Sequence, residues 1–364
     1  MAEEQRPFGI SEMRAAVAAG ILSESQAAEL TALAHDRAGK RAALPAEDEP
    51  FEFFRGFAEI FIAVGLSILL GGIALLLSVI GGVAILIAIP AIMAAIAWWL
   101  AGYFTLKRRM NLPSMVLVSA YAGGIYVSAL TFFGQMSMGL KGVALVAALV
   151  TVAAVALWFQ RFKLPFAMFV LGIFGLLATY ALFTQYGAGR GNFDTIEGWA
   201  TSFVPRLDLT LASLVFGVAA FAGAMWFDLQ DRYRIGRYAA TAFWLHLLAG
   251  AALVNTVAGN LYNNGGSASV LPTAIALGLF ALVALVIDRR SMLTAGTAYI
   301  AAVIYWAVAG DGSASLKDWA LILILLGLFF TFLGTWWVPL RGALMRALPS
   351  FPGKDRLPPY SETP

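Results

Sequence analysis

The residues of this sequence that could bind a solute lie on one face of a predicted membrane helix. Tyr121, Gly124, Ser128, Thr131 and Gln135 follow one another at intervals of three and four residues, which places them on one side of an α-helix. Polar side chains at membrane depth are costly and often mark functional sites. This face could line a permeation path or a solute pocket. The simpler interpretation is a contact between two helices, in which the hydroxyls and the amide hydrogen-bond across the interface.

A second residue that could take part in chemistry is His246, near the middle of the seventh predicted span. Its neighbours on the helix face are Ala242, Phe243, Ala249 and Gly250, and the small residues among them indicate that another helix comes close. We therefore expect His246 to point into protein rather than into lipid. A histidine in this position could relay protons. Because no carboxylate lies near it in the sequence, a neutral, hydrogen-bonded histidine is favoured.

Motifs for covalent and metal chemistry are missing from the sequence. It contains no cysteine and only two histidines, His35 and His246, which excludes disulfides and thiolate sites and leaves little for a histidine metal site. It has no phosphate-binding loop, no H-E-x-x-H or G-x-S-x-G motif, and no paired carboxylates within a predicted span. The sequence therefore predicts a protein that is not an enzyme and that binds no cofactor or metal.

The elements that would carry the polar residues are membrane helices. The composition is 60% hydrophobic and only 12% charged, about half the charge content of a soluble domain. A helix needs about 20 apolar residues to cross the hydrocarbon core, and the charged residues divide the chain accordingly. Gly65, Gly71 and Gly72 in the first span, and Gly172 and Gly175 in the fifth, are expected at close helix contacts. The predicted fold is an all-α integral membrane bundle of about ten transmembrane helices, at residues 57–80, 83–105, 114–134, 142–159, 164–186, 207–228, 236–257, 269–287, 291–309 and 317–338.

The distribution of basic residues predicts the orientation of these spans. Alternate connections contain ten Lys and Arg residues, against four in the opposite set, and basic loops stay in the cytoplasm. Both termini are therefore expected inside, in a bacterial inner membrane, with the lipid bilayer as a partner. The start of the chain lacks the apolar region of a cleavable signal peptide. The tryptophans at the predicted inner ends, where an aromatic belt is expected, are Trp98, Trp99, Trp158, Trp226, Trp336 and Trp337.

Three regions follow from this layout. Residues 1–50 form a cytosolic acidic segment, residues 51–340 form the ten-helix bundle, and residues 341–364 form a basic, proline-rich cytosolic tail. The tail is expected to be disordered. The outer loop 187–206 is expected to contain a short helix that lies on the membrane interface.

The acidic segment is predicted to form a small helical hairpin. Gly20 suits the left-handed residue that ends a helix, and Ser23 with Gln26 matches the capping box that begins the next. Residues 1–54 contain ten acidic and five basic residues, a balance that argues against nucleic-acid binding, since phosphate contacts need a basic face. Residues 10–35 could instead dock a cytosolic protein partner, associate with a second copy, or cover the inner face of the bundle.

This hairpin also carries a resemblance to a known family. The joint from Gly20 to Gln26, followed by the Gly-rich first span from Gly65 to Leu77, resembles the bacterial membrane proteins of the domain of unknown function 2157 family. The resemblance covers the first hundred residues or so. It implies an inner-membrane location and the layout of a cytosolic hairpin before a membrane bundle. It implies no activity and no site residues.

Two functions remain after these exclusions. Ten spans with both ends inside can divide into two halves of five with opposite orientation, a layout of many secondary transporters. This favours a permease-like protein that transports a small solute. The alternative is a scaffold or assembly factor that transports nothing and whose N-terminal hairpin docks a cytosolic partner. The candidate site residues in the membrane interior are Tyr121, Ser128, Thr131, Gln135 and His246.

Overall fold

The computed structural model describes most of the membrane region and a few positions before it. The described residues are 56–80, 82–136, 138–186, 207–231, 237–265, 270–309, 315–358 and 360, with nine positions between 16 and 30. The predicted interface helix within 187–206 lies outside the described residues. The chain divides into two compact units, Met1–Asp48 and Glu49–Pro364.

All regular secondary structure in the described part of the chain is helical. A π-helical segment, Gly102–Lys107, continues the second helix, and a short 3-10 helix, Lys354–Arg356, follows the last one. The α-helices of the second unit are α1 (Phe57–Ile80), α2 (Gly82–Ala101), α3 (Asn111–Phe133), α4 (Leu140–Phe162), α5 (Phe166–Tyr186), α6 (Leu207–Asp228), α7 (Arg237–Gly265), α8 (Val270–Ile287), α9 (Ser291–Ala309) and α10 (Leu316–Ala347).

Each of these helices lies at a predicted span. Eight of the described helices, all except α8 and α9, are long and apolar enough to cross a membrane. The apolar part of α8, Leu271–Ile287, is shorter. Helix α10 has 32 residues, a length of about 48 Å, and therefore extends beyond a hydrocarbon core of about 30 Å. The chain is thus an all-helical membrane protein, and the count of ten crossings stays a prediction.

Helices α1 to α5 share one buried cluster of apolar side chains. It includes Leu66 of α1, Ala97 of α2, Val118 of α3, Trp158 of α4 and Val170 of α5. Many of the buried positions are alanines, and small side chains let membrane helices approach closely and gain van der Waals contacts. The first five helices therefore form one packed body.

The start of α3 is capped by a residue from another helix. Met110 precedes α3 and contributes no side-chain cap. The Glu59 carboxylate of α1 accepts hydrogen bonds from the backbone N–H groups of Asn111 and Leu112, both at 3.1 Å. A negative charge is favourable at a helix N-terminus, which explains how this carboxylate can be buried. Glu59 thereby holds α1 against α3.

The second half of the bundle is built around α6 and α7. Ala220 of α6 is buried together with Ala249 of α7, and the Ser213 hydroxyl of α6 donates a hydrogen bond to the Ala252 carbonyl of α7 at 3.0 Å. Helix α10 joins through a buried cluster in which Trp337 packs near the end of α8. These contacts position the end of α6, the middle of α7 and the α8–α9 turn next to one another.

Glycines mark close approaches between some of these helices. A methyl group at Gly124 of α3 would collide with the Pro90 carbonyl of α2, and one at Gly250 of α7 would lie 2.7 Å from the Met292 carbonyl. Gly172 of α5 also faces a close neighbour, as its sequence context predicts. Among the described residues the same expectation is wrong for three glycines of α1, where an added methyl group meets no described atom within 4 Å: they are Gly65, Gly71 and Gly72.

Gly124 provides a direct test of this packing. Gly124→Ala is expected to destabilise the bundle by about 1–3 kcal/mol, because the new methyl group must displace the backbone of α2. The matched control is Gly123→Ala, at which an added methyl group meets none of the described atoms within 4 Å. Thermal unfolding of both variants in the same detergent measures the difference. Equal stability of the two variants would contradict the close contact of α2 with α3.

The tryptophans do not form one interfacial belt. Trp99, Trp226 and Trp336 are exposed on the surface of the bundle, as the belt prediction requires. The prediction is wrong for Trp158 and Trp337, whose exposed fractions are 0% and 1%. Both indoles pack inside the protein, where neighbouring helices supply more van der Waals contact than lipid headgroups would.

In the first unit, hydrogen bonds confirm the predicted end of the first hairpin helix at Gly20 and the predicted start of the second at Ser23. Gly20 has a φ of +71°, and its amide donates to the Val17 carbonyl at 3.0 Å, as expected for a helix that ends in a left-handed residue. The Gln26 amide donates to Ser23 Oγ at 3.2 Å, and the Ser23 amide donates to Gln26 Oε1 at 3.0 Å. These reciprocal bonds are a capping box.

The expectation of a disordered tail is wrong for the residues up to Pro358. The Lys354 ammonium donates hydrogen bonds to the carbonyl oxygens of Met345 and Leu348, at 2.7 and 2.8 Å. Arg341 Nη2 donates to the Pro358 carbonyl at 2.7 Å. The basic side chains thus bind backbone carbonyls at the end of α10 and beyond it, and this fixes the segment in place.

Candidate functional site

The polar face predicted on α3 begins in an aromatic cluster. The ring of Tyr121 packs beside the indoles of Trp98 and Trp158, with centroids 5.5 and 4.9 Å away. Phe162 adds a fourth ring, 4.5 Å from that of Trp158. Tyr121 therefore lies among aromatic side chains of α2 and α4.

The other members of this face bond along their own helix. The Ser128 hydroxyl donates to the Gly124 carbonyl at 2.7 Å, the Thr131 hydroxyl donates to the Ser128 carbonyl at 2.9 Å, and Gln135 Nε2 donates to the Thr131 carbonyl at 3.3 Å. Thr131 and Gln135 are exposed, whereas Gly124 lies against Pro90. These bonds of Ser128, Thr131 and Gln135 therefore run along α3 rather than to another helix, and both interpretations of this face stay predictions.

His246 belongs to a different cluster. None of its surface is exposed, which confirms that it points into protein. Its Nε2 lies 2.7 Å from Oδ2 of Asp228, the last residue of α6. A carboxylate only accepts hydrogen bonds, so the hydrogen of this bond belongs to Nε2. The sequence around His246 contains no carboxylate, and the fold supplies one from the end of α6.

Arg289 binds the same carboxylate from the end of α8. Its Nε donates to Asp228 Oδ2 at 2.9 Å, and its Nη2 donates to Asp228 Oδ1, the bidentate geometry that a guanidinium favours. Nη2 also donates to the Ala239 carbonyl in the first turn of α7, at 3.2 Å. Arg289 is fully buried and Asp228 is 8% exposed. We call Asp228, His246 and Arg289 the ionic cluster, and it joins α6, α7 and the α8–α9 turn.

The backbone after α8 directs Arg289 toward this cluster. Asp288 has a φ of +57°, a left-handed conformation that is uncommon for residues other than glycine. The Asp288 amide donates to the Leu285 carbonyl at 3.2 Å, and the Arg289 amide donates to the Ala284 carbonyl at 2.9 Å. These are the two bonds of a Schellman motif, which turns the chain back at the end of α8.

A second buried pair lies beside the ionic cluster, because Asp288 directly precedes Arg289. Trp337 Nε1 of α10 donates to Asp288 Oδ1 at 2.8 Å. Arg341 Nε lies 3.7 Å from the same oxygen, within reach of an ion pair but beyond a hydrogen bond. The α8–α9 turn is therefore held by α10 through Asp288 and by α6 through Arg289.

Apolar side chains lie beside the ionic cluster. The Phe221 ring lies 5.7 Å from the His246 ring, and Ala224, Ala242 and Leu245 are buried around Phe227 of α6. Burying a charge costs several kcal/mol unless good geometry and added hydrogen bonds offset it. Here one carboxylate binds both a guanidinium and an imidazole. The desolvation cost is therefore offset only while all three groups are in contact.

This arrangement can perform two kinds of chemistry. Histidine is the side chain that most readily gains or loses a proton near neutral pH, and its hydrogen bond to Asp228 gives that proton a fixed acceptor. Separation of α6 from α8 would break the two Arg289 bonds, and water entering between the helices would solvate the separated charges. The cluster can therefore hold a proton or close a path between helices.

The structure does not bring His246 together with Tyr121. The aromatic contacts of Tyr121 lie in the body formed by α1 to α5, whereas His246 contacts Asp228 of α6 and Phe221 of α6. Sequence reasoning missed Asp228 and Arg289 because each lies at the end of a span, where a charged residue is expected to face water. A usable signal was present, since Asp228 ends the span that immediately precedes the one with the buried histidine.

No protein-family model, curated protein or solved structure matches this chain. The likeness to the domain of unknown function 2157 family therefore stays a prediction from the N-terminal residues.

Proposed function

We propose that this chain is a permease-like protein of a bacterial inner membrane that transports a small solute, with both termini in the cytoplasm. The ionic cluster carries the proposal: a fully buried histidine in a membrane helix shares a carboxylate with an arginine from another helix. Charged groups inside a membrane bundle typically mark ion and solute pathways.

The proposed role of the ionic cluster is that of a cytoplasmic gate. Under the predicted orientation, Asp228 and Arg289 lie at the cytoplasmic ends of α6 and α8. Their bidentate bond closes the space between these helices, and His246 extends the closure toward the middle of α7. Opening separates Asp228 from Arg289 and admits water, as alternating access requires at one end of a transporter.

Labelling of a single cysteine tests this gate, because the natural chain has no cysteine. Ala242 lies one helical turn before His246 and is fully buried. A permease that opens at this end is expected to admit water to this position transiently, so Ala242→Cys should react slowly with a charged, membrane-impermeant thiol reagent added from the cytoplasmic side. The measurement is the rate of labelling in inside-out membrane vesicles.

Two further cysteines calibrate the rate. Val218→Cys lies on the exposed, lipid-facing side of α6 and is expected to stay unreactive, because a thiol in hydrocarbon meets no charged reagent. Ser350→Cys, which is exposed after α10, is expected to react at once. Complete silence at Ala242→Cys in a chain that still labels at Ser350→Cys would overturn the gate.

The second candidate function is a membrane scaffold that docks a cytosolic protein through residues 10–35. The observation that favours it is the defined pair of helix ends at Gly20 and Ser23 within the acidic segment, because a minimal permease does not need such a hairpin. A static bundle in which Ala242→Cys never reacts is the result expected for this function.

A further inference from the structure

The segment after α10 folds back onto that helix through two separate contacts. Lys354 Nζ binds the carbonyl oxygens of Met345 and Leu348, which are among the carbonyls that a helix leaves unpaired at its C-terminus. Leu357 is 6% exposed, so an apolar side chain of the segment is also buried. The segment thus has both a polar and an apolar attachment.

The same segment reaches the second buried pair. Arg341 of α10 is 2% exposed and donates to the Pro358 carbonyl at 2.7 Å, while its Nε faces Asp288 at 3.7 Å. A buried guanidinium needs acceptors to offset its lost hydration. Pro358 supplies one of them, so the segment after α10 is bonded directly to the side chain that faces Asp288.

Asp288 transmits this contact to the ionic cluster through the backbone. It is the left-handed residue of the Schellman motif that ends α8, and its side chain is bound by Trp337. The next residue, Arg289, binds Asp228. A shift of Asp288 therefore also shifts the Cα atom of Arg289, from which the guanidinium reaches Asp228.

We propose that residues 351–358 form a clamp that positions Arg289 through Arg341 and Asp288, and that release of this clamp opens the ionic cluster. Asp288 and Arg341 are positioning residues in this scheme, since neither touches His246 or Asp228 in the contacts described above. The control of the ionic cluster rests on the proposed gate. That residues 351–358 hold the α8–α9 turn in place does not, and it can be tested alone.

Hydrogen–deuterium exchange on the full chain tests the clamp with a matched pair of variants. Lys354→Gln removes the ammonium that binds the end of α10, and Arg356→Gln removes an equal charge from an exposed position of the same 3-10 helix. Lys354→Gln is expected to accelerate exchange of the amides of residues 288–292 by about tenfold, because hydrogen bonds to a charged group are lost. Arg356→Gln should leave their exchange unchanged, and Lys354→Arg should restore most of the protection.

Each outcome decides one part of the inference. Equal exchange of residues 288–292 in Lys354→Gln and Arg356→Gln overturns the clamp. Accelerated exchange without faster labelling of Ala242→Cys in the same background overturns its control of the ionic cluster. If Ala242→Cys is not labelled in any background, the proposed transport function is wrong. The exchange of residues 288–292 still decides whether the clamp exists.

Discussion

Asp228→Ala is expected to destabilise the membrane bundle by about 3–5 kcal/mol, the loss that follows when one partner of a buried ion pair is removed. The carboxylate accepts hydrogen bonds from both Arg289 and His246. Its removal leaves a fully buried guanidinium without its bidentate partner. Unfolding in mixed detergent micelles, followed by circular dichroism, measures the change.

A double variant shows whether the loss of stability comes from the unpaired charge or from lost packing. Replacing both partners, as Asp228→Leu with Arg289→Met, removes the buried charges together and is expected to recover much of the stability, because an apolar pair avoids the desolvation cost. Asp355→Asn, at an exposed carboxylate after α10, is the control and should unfold like the natural chain. A double variant as unstable as Asp228→Ala would show that the ionic cluster does not act through its charges.

The positions of the helices could be predicted from the sequence because length and apolar composition determine them locally. Every helix from α1 to α10 lies at a predicted span, since only a helix satisfies its own backbone in hydrocarbon. Helix α10 shows where this reasoning ends. It continues to Ala347, beyond the length that the membrane alone requires, and Lys354 binds carbonyl oxygens at its end.

The candidate site could be predicted only in part. Small residues around His246 correctly indicated that it faces protein, because a short side chain at a helix contact is a local signal. Its partner Asp228 was missed, since the pairing depends on how far the end of α6 overlaps the middle of α7. Arg289 is 61 residues from Asp228, and such a contact follows from tertiary packing alone. Helical spacing places the polar side chains of α3 on one side without indicating what they touch, so the role of this face stays a prediction.

Trp158→Ala is expected to destabilise the bundle by about 3 kcal/mol or more, as truncation of a buried aromatic side chain usually does. Trp158 is fully buried, and its indole lies 5.5 Å from that of Trp98, 4.9 Å from the Tyr121 ring and 4.5 Å from the Phe162 ring. In a membrane the loss comes mainly from broken van der Waals contacts, because lipid chains are as apolar as the protein interior.

Two companion variants show whether burial is the cause. Trp99→Ala truncates the same side chain at a position that is 77% exposed, and lipid can fill the space, so its unfolding should change little. Trp158→Phe keeps a ring among the other three and removes an indole N–H that has no hydrogen-bond partner in the described part of the chain. Leaving a buried donor unpaired is itself unfavourable, so Trp158→Phe should lose much less stability than Trp158→Ala. If Trp99→Ala and Trp158→Ala unfold alike, Trp158 belongs to the interfacial belt after all and the packing of α2, α3 and α4 around it is wrong.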